Sequence, residues 1–104
     1  MTNWRLEMKE VETEKRRWSV LSHLEASKPT RSLSSDILIM GCRASGVPTT
    51  AEQMHDVLQW LQERQFITVE SLGPMEVASI TKEGREVAQR LRTVKGVLPF
   101  GLDG

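Results

Sequence analysis

The sequence predicts a mainly α fold with a small β-hairpin, an α+β domain in the order helix, helix, helix, hairpin, helix. Apolar residues recur every three or four positions in several long stretches, which indicates amphipathic helices. Two β-branched, alternating runs flank a Leu-Gly-Pro breaker at residues 72–74, which indicates a hairpin. The 104 residues, 38% of them hydrophobic, are enough for one core and too few for two. We therefore expect one domain over residues 1–94.

The first predicted helix runs from Asn3 to about Ser27, a stretch without proline or glycine. Its apolar residues fall three, four or seven positions apart and form one stripe: Trp4, Met8, Val11, Trp18, Leu21 and Leu24. The half before Trp18 is otherwise mostly charged, so we interpret it as an N-terminal helical extension of the domain. Pro29 ends the helix because proline cannot continue it.

Two shorter helices are predicted next. Ser34 and its neighbours supply an N-cap for the apolar run at residues 37–40. Thr50 and Gln53, or the pair one position earlier, have the spacing of a capping box and begin the third helix. Its apolar positions share one face, and the helical pattern ends near Gln65. The helix would then show its other face to solvent.

The last third of the chain contains the predicted hairpin and a fourth helix. Residues 66–71 and 75–80 alternate as strands do, and helical spacing returns from Thr81 to Leu91. Three glycines and Pro99 follow, so we expect residues 95–104 to form a flexible C-terminal tail.

Three helices followed by a hairpin are the chain order of a winged helix-turn-helix. In that architecture the second and third helices form the helix-turn-helix and the hairpin forms the wing. We therefore expect the third helix to be the reading element of a DNA-binding domain, with double-stranded DNA as its partner.

Two stretches also carry a family resemblance. Residues 58–67 (LQWLQERQFI) and residues 80–88 (ITKEGREVA), on either side of the hairpin, resemble the ending of winged-helix proteins of the MarR and PadR kind. Over most of its length, including a Gly-Val-Leu-Pro run at residues 96–99, the chain resembles small winged-helix proteins encoded by Mu-like phages and prophages. The resemblance implies a phage or prophage DNA-binding regulator. The family's glycine at the exit of the third helix is replaced by Gln65, so we expect that turn to form without a left-handed residue.

Six residues are predicted to bind DNA. Gln53 has the amide pair that reads adenine, the two threonines lie at a helix N-terminus that favours phosphate, and the arginines would neutralise the backbone. The set is Thr49, Thr50, Gln53, Arg31, Arg43 and Arg64. The alternative for the first three is that they only cap the helix.

Charge opposes this interpretation. The chain has 14 basic and 14 acidic side chains, and the predicted outer face of the third helix carries Glu52, Asp56 and Glu63. The alternative function is a protein-interaction module that binds a phage or host protein through this face and Trp60, without DNA. The positions of five arginines distinguish the two functions. If they converge beside the third helix they favour DNA, and if they are dispersed they favour a protein partner. The five are Arg16, Arg17, Arg31, Arg43 and Arg64.

The apolar strip Trp4, Met8 and Val11 is predicted to mediate a homodimer, because aromatic and methionine side chains on a charged helix indicate a partner surface. The alternative is that the first helix folds back on the fourth and buries the strip within one chain.

We expect neither enzymatic activity nor a cofactor. His23 and His55 lack the spacing of metal ligands on one helix face, and we interpret Cys42 as a small buried hydrophobic residue. The chain has no secretory signal and no apolar run long enough to cross a membrane, so we expect a cytoplasmic protein.

Overall fold

The computed structural model describes residues 3–101, and its element order confirms the predicted fold class. The helices are α1 (Trp4–Ala26), α2 (Ser35–Ala44), α3 (Ala51–Glu63) and α4 (Lys82–Ala88). The strands are β1 (Ser32–Ser34), β2 (Ile67–Leu72) and β3 (Met75–Ile80), which form an antiparallel sheet in the order β1-β3-β2. The helix-turn-helix is therefore α2, α3 and the turn between them, and β2 and β3 form the wing.

The core lies where the apolar faces of α1, α2 and α3 meet the sheet. Its fully buried side chains include Leu21, Leu24, Leu38, Met54, Leu58, Leu61 and Ile67. The predicted inward positions of the first and third helices are among them, because a 3.6-residue period places such residues on one side of each helix. This packing holds α3 by one face and leaves its outer face to solvent.

Strand β1 is absent from the sequence prediction. Its Ser-Leu-Ser sequence is three residues long and has no alternating pattern that separates it from a loop. In the structure Leu33 pairs with Ala78, and the Ser32 and Ser79 hydroxyl oxygens lie 2.6 Å apart across the two strands. The third strand thus comes from tertiary pairing with β3.

The exit of α3 corrects a second expectation. Gln65 has a φ of 65°, so the turn does use a left-handed residue, although that residue is not glycine. The amide N–H of Phe66 donates to the carbonyl of Leu61 (3.0 Å), which closes the helix end and directs the chain into β2.

The C-terminal segment differs from the predicted flexible tail. Val97 is buried, the N–H of Leu98 donates to the carbonyl of Glu14 (3.1 Å), and Arg17 Nη1 donates to the carbonyl of Gly96 (2.9 Å). Residues 95–101 therefore pack along α1, while residues 102–104 lie outside the described residues. The buried valine and the hydrogen bonds to α1 supply the docking that composition alone does not reveal.

Within residues 3–101, no helix is both long and apolar enough to cross a membrane.

Candidate nucleic-acid interface

The N-terminus of α3 is fixed by a capping box. The Thr50 hydroxyl accepts from the N–H of Gln53 (3.1 Å), and the Gln53 side-chain oxygen accepts from the N–H of Thr50 (2.9 Å). These two bonds confirm the capping geometry and occupy the oxygen that Gln53 would need for a bidentate contact to adenine. Gln53 is therefore a cap in this structure, and only its amide N–H₂ group is left for a base.

Thr49 lies inside the protein rather than on the surface. It is 2% exposed, and its hydroxyl accepts from Arg16 Nε (3.0 Å) and donates to the carbonyl of Val47 (2.8 Å). The hydroxyl is already engaged and shielded from solvent, so the predicted phosphate contact by Thr49 is not available here.

Arg16 locks the turn between α2 and α3. Its side chain is 3% exposed, and besides Thr49 it donates from Nη2 to the carbonyl of Pro48 (2.7 Å) and to Glu12 Oε1 (2.7 Å). A buried guanidinium needs such partners because an unpaired buried charge is costly. Arg16 thus links α1 to the start of α3. Because its guanidinium is buried, it does not present a charge at the surface.

Arg43, on α2, bonds the same turn between α2 and α3. It is exposed on α2, and its Nε donates to the carbonyl of Thr49 (3.2 Å). This bond places a cation beside the N-terminus of α3, where backbone N–H groups also favour anions.

Trp60 holds two further arginines on the flank of α3 that faces α1. The guanidinium carbon of Arg17 lies 3.9 Å from the ring centre, and that of Arg64 lies 3.6 Å from it. Two guanidiniums this close to one ring centre cannot share a face without overlapping, so they cover opposite faces of the indole. Trp60 is half-buried and is therefore not the open aromatic surface that the sequence predicts.

Arg31 immediately precedes β1, which lies on the other side of β3 from β2. Its carbonyl accepts from the N–H of Ile80 (3.2 Å), and its Nε lies 3.4 Å from Glu25 Oε1. Arg31 is thus engaged with α1 and β3 rather than with the residues around Trp60, and its predicted contact with DNA stays a prediction.

The outer face of α3 and the wing are acidic. Glu52, Asp56 and Glu63 are all exposed, and residues 51–80 carry five carboxylates against one arginine. His55 Nδ1 lies 3.2 Å from Glu76 Oε1, which links α3 to β3 of the wing. The wing tip is apolar, with Leu72 at 49% and Met75 at 40% exposure. The solvent-facing side of α3 and the wing thus carry more negative than positive charge, while the arginines described above lie on the flank beside α1.

Four of the five arginines named above therefore lie near the flank of α3 beside α1, and one of the four, Arg16, is buried. Arg43, Arg16, Arg17 and Arg64 follow one another along the flank of α3 beside α1. Sequence reasoning missed two features that build this row: the role of Trp60 as a support, and Gly96, whose added Cβ would lie 2.8 Å from Trp60 Cζ2. Neither feature has a local signal, because each depends on contacts between distant segments.

The predicted dimer strip is exposed. Trp4 and Met8 are each 61% exposed and Val11 is 41% exposed, because α1 contacts α4 near its C-terminal end, where Arg85 bonds Glu25, and not through the strip. The strip lines an open groove of about 450 Å³ together with Gly46 and Val47.

Comparison with known structures gives two related folds. The chain matches the protein AF1382 from Archaeoglobus fulgidus with a TM-score of 0.57 at 17% identity, over 75% of this chain and 80% of that chain. It matches PadR from Bacillus subtilis, solved in complex with operator DNA, with a TM-score of 0.56 at 16% identity, over 85% of this chain and 52% of that one. The chain thus spans about half the length of that PadR chain. Neither a protein-family model nor a curated protein matches the sequence. At these identities the likeness establishes the fold alone, and the fold is a PadR-like winged helix.

Proposed function

We propose that this protein binds duplex DNA as a winged-helix transcription regulator and contacts the phosphate backbone through the arginine row beside α3. The observation that carries this proposal is that Arg43, Arg17 and Arg64 lie along one flank of the helix, where the buried Arg16 holds the turn without reaching solvent. Arginine suits the task because its planar guanidinium binds phosphate in a bidentate manner. The operator complex of the similarly folded Bacillus subtilis PadR supports the same use of this fold.

The two exposed ends of the row suit a duplex. From Thr50, beside Arg43, to Arg64 is 14 residues of the sequence, which corresponds to about 21 Å at 1.5 Å per helical residue. The major groove is about 12 Å wide, so a helix with a cation near each end can cross it and meet phosphates on both sides. The carboxylates between the ends would then face bases, where they can accept from the amino group of cytosine.

A phage or prophage regulator acting in the cytoplasm is the more specific form of the proposal. It is supported by the sequence resemblance to proteins of Mu-like phages, which includes the 96–99 segment that packs against Trp60 and Arg17.

The test is fluorescence anisotropy of a random-sequence duplex titrated with the protein at several salt concentrations. We expect the logarithm of the binding constant to fall with the logarithm of the salt concentration, by about 0.9 per phosphate neutralised. Arg43→Ala should weaken binding and lower that slope by about 0.9, because one contact is lost. Lys28→Ala is the matched control, since this exposed cation lies just beyond the C-terminal end of α1. An absence of wild-type binding at low salt would refute the proposal.

A second candidate function is a protein-interaction module without DNA binding, and the acidic outer face of α3 with the apolar wing tip favours it. The partner would be a basic phage or host protein. Neutralising the face with Glu52→Gln, Asp56→Asn and Glu63→Gln distinguishes the two candidates. If DNA is the ligand, the triple variant should bind a random-sequence duplex more tightly, because repulsion of phosphate is removed and only sequence-specific contacts to cytosine are lost. If a protein is the ligand, neither protein form should bind duplex.

We also propose that two copies pair through the strip Trp4, Met8 and Val11. An isolated helical end of this length is marginal in water, and a second strip would bury its apolar side chains. Arg5 and Glu12 lie on the same side of the strip, so an antiparallel pair places each Arg5 opposite the partner copy's Glu12.

The oligomeric state tests this pairing. Met8→Glu should convert a dimer to a monomer in sedimentation equilibrium, because it places a charge in the strip. Leu6→Glu is the matched control: Leu6 is 56% exposed on the same helix but lies on the opposite side from Met8. A wild-type monomer at high concentration, or dissociation by Leu6→Glu alone, would contradict the pairing.

A further inference from the structure

We infer that Trp60, with Arg17 and Arg64 on its two faces, forms a phosphate-binding unit at the C-terminal end of α3. Arg64 makes the contact, Arg17 adds its charge from behind the ring, and Trp60 is the residue that positions both. The inference rests on the proposed duplex binding. It adds which residue holds the arginines in place at the C-terminal end of the arginine row.

The first support is the absence of acidic partners. Within residues 3–101, neither Arg17 nor Arg64 has a carboxylate within 4 Å, whereas Arg16 pairs with Glu12 and Arg85 pairs with Glu25. Arg64 is held instead by the indole face and by its own helix, through a bond from Nη1 to the carbonyl of Trp60 (3.3 Å). Its charge is therefore oriented without being neutralised.

The second support is the electrostatic cost of the arrangement. Burial lowers the pKa of Arg17, and the nearby charge of Arg64 lowers it further, with Glu14 acting in the opposite direction. Arg17 Nε is also buried without a hydrogen-bond partner. Two like charges are thus held against one ring at a free-energy cost that a bound anion would offset.

The third support is the surrounding charge. Arg92 lies over Phe66, with its guanidinium carbon 5.3 Å from the ring centre, and Lys95 is exposed beside Gly96. Glu10 and Glu14 line one groove beside Arg17, Asp56 lines another, and Glu63 precedes Arg64, so the acidic groups lie mostly on the Arg17 side of the ring. A phosphodiester fits this environment, while a stacked base does not, because both faces of Trp60 are already covered.

The packing of Gly96 fixes the ring from its edge. A Cβ at this position would lie 2.8 Å from Trp60 Cζ2 and 3.2 Å from Arg17 Nη1, and the φ of 98° suits glycine. The close approach keeps the indole from rotating, so the guanidiniums on its faces stay aligned. Rigid support of this kind reduces the ordering cost when an anion binds.

The test compares Trp60→Leu, Trp60→Phe and Arg64→Ala in the salt titration with duplex DNA. We expect Trp60→Leu and Arg64→Ala each to lower the salt slope by about 0.9 and to weaken binding equally across sequences. Trp60→Phe keeps an aromatic face and should retain the wild-type slope. Circular dichroism and urea unfolding of each variant establish that the domain is folded.

The two proposals fail in different ways. If the wild-type protein binds duplex but Trp60→Leu, folded, keeps its full salt slope, the phosphate-binding unit is refuted and the DNA-binding function stands. If Arg64→Ala lowers the slope and Trp60→Leu does not, Trp60 has no positioning role and the inference is also overturned. If the wild-type protein does not bind duplex at low salt, both the proposed function and this inference are refuted.

Discussion

Replacement of Arg16 by methionine is expected to lower the free energy of unfolding by about 3 kcal/mol. Methionine keeps the length and apolar stem of the side chain while it removes the two hydrogen bonds that join α1 to the turn before α3 and the bond to Glu12 within α1. The perturbation therefore separates the polar role of Arg16 from its packing.

The magnitude follows from the partners. Hydrogen bonds from a charged group contribute about 1.5–3 kcal/mol each, and Arg16 makes two to the turn, with Thr49 Oγ1 and the carbonyl of Pro48. Removing the charge also relieves the desolvation cost of a guanidinium that is 3% exposed, which offsets part of the loss. The bond to Glu12 adds little, since that carboxylate side chain is 48% exposed.

Urea unfolding followed by circular dichroism measures this difference, with Glu12→Gln as the control. The control removes only the solvent-screened ion pair and should cost about 0.5 kcal/mol. If Arg16→Met costs less than about 1 kcal/mol, or if Glu12→Gln costs as much, the turn is not held by Arg16 and the reasoning is refuted.

Three further predictions concern other parts of the domain. Gly84→Ala should destabilise the protein by about 3 kcal/mol in urea unfolding, because its Cβ would lie 2.1 Å from the carbonyl oxygen of Phe66; a loss under about 1 kcal/mol would show that the backbone can yield. The hydrogen bond from Arg85 holds the pKa of Glu25 below its ordinary value of 4.5, so the pair stabilises the fold above that pH, and the contribution disappears as the pH falls through the lower folded-state value. Glu25→Gln should accordingly flatten the acid side of the stability profile, and an unchanged profile would contradict the pair. Burial raises the pKa of the Cys42 thiol, so its reaction with a disulfide reagent at pH 8 should follow the unfolding rate, and rapid labelling of the folded protein would contradict its position in the core.

The element order could be predicted from sequence because the signals are local. Thr50 and Gln53 form the predicted capping box, and the apolar spacing of Met54 and Leu58 places them in the core. Each of these signals lies within one turn or one helix face, so no knowledge of distant contacts is required.

Features that depend on pairing between distant segments could not be predicted. Strand β1 exists because Leu33 meets Ala78, and the C-terminal segment is ordered because Leu98 reaches Glu14. Gln65 takes a left-handed conformation that its residue type does not favour, since the buried Phe66 must follow α3 directly. In each case tertiary packing decides the local geometry.

The site was only partly accessible to sequence reasoning for the same reason. The sequence does not indicate whether a given arginine will be buried, paired or exposed. In the structure Arg16 is buried, Arg31 pairs with Glu25, and Arg43 and Arg64 are on the surface. The sequence of α3 gives the charge of this helix directly. Which cations lie beside α3 depends on how α1 packs against it, and that packing cannot be predicted from local sequence.

The hydrogen bond between Arg17 and Gly96 has a consequence for folding during synthesis. During synthesis α1 emerges first, yet the carbonyl that Arg17 bonds belongs to Gly96, 79 positions later. The ring of Trp18 is likewise covered late, since the guanidinium carbon of Arg90 lies over it at 5.2 Å from the ring centre. At about 5–20 residues per second this interval lasts several seconds, during which α1 is open to chaperones and to other nascent chains.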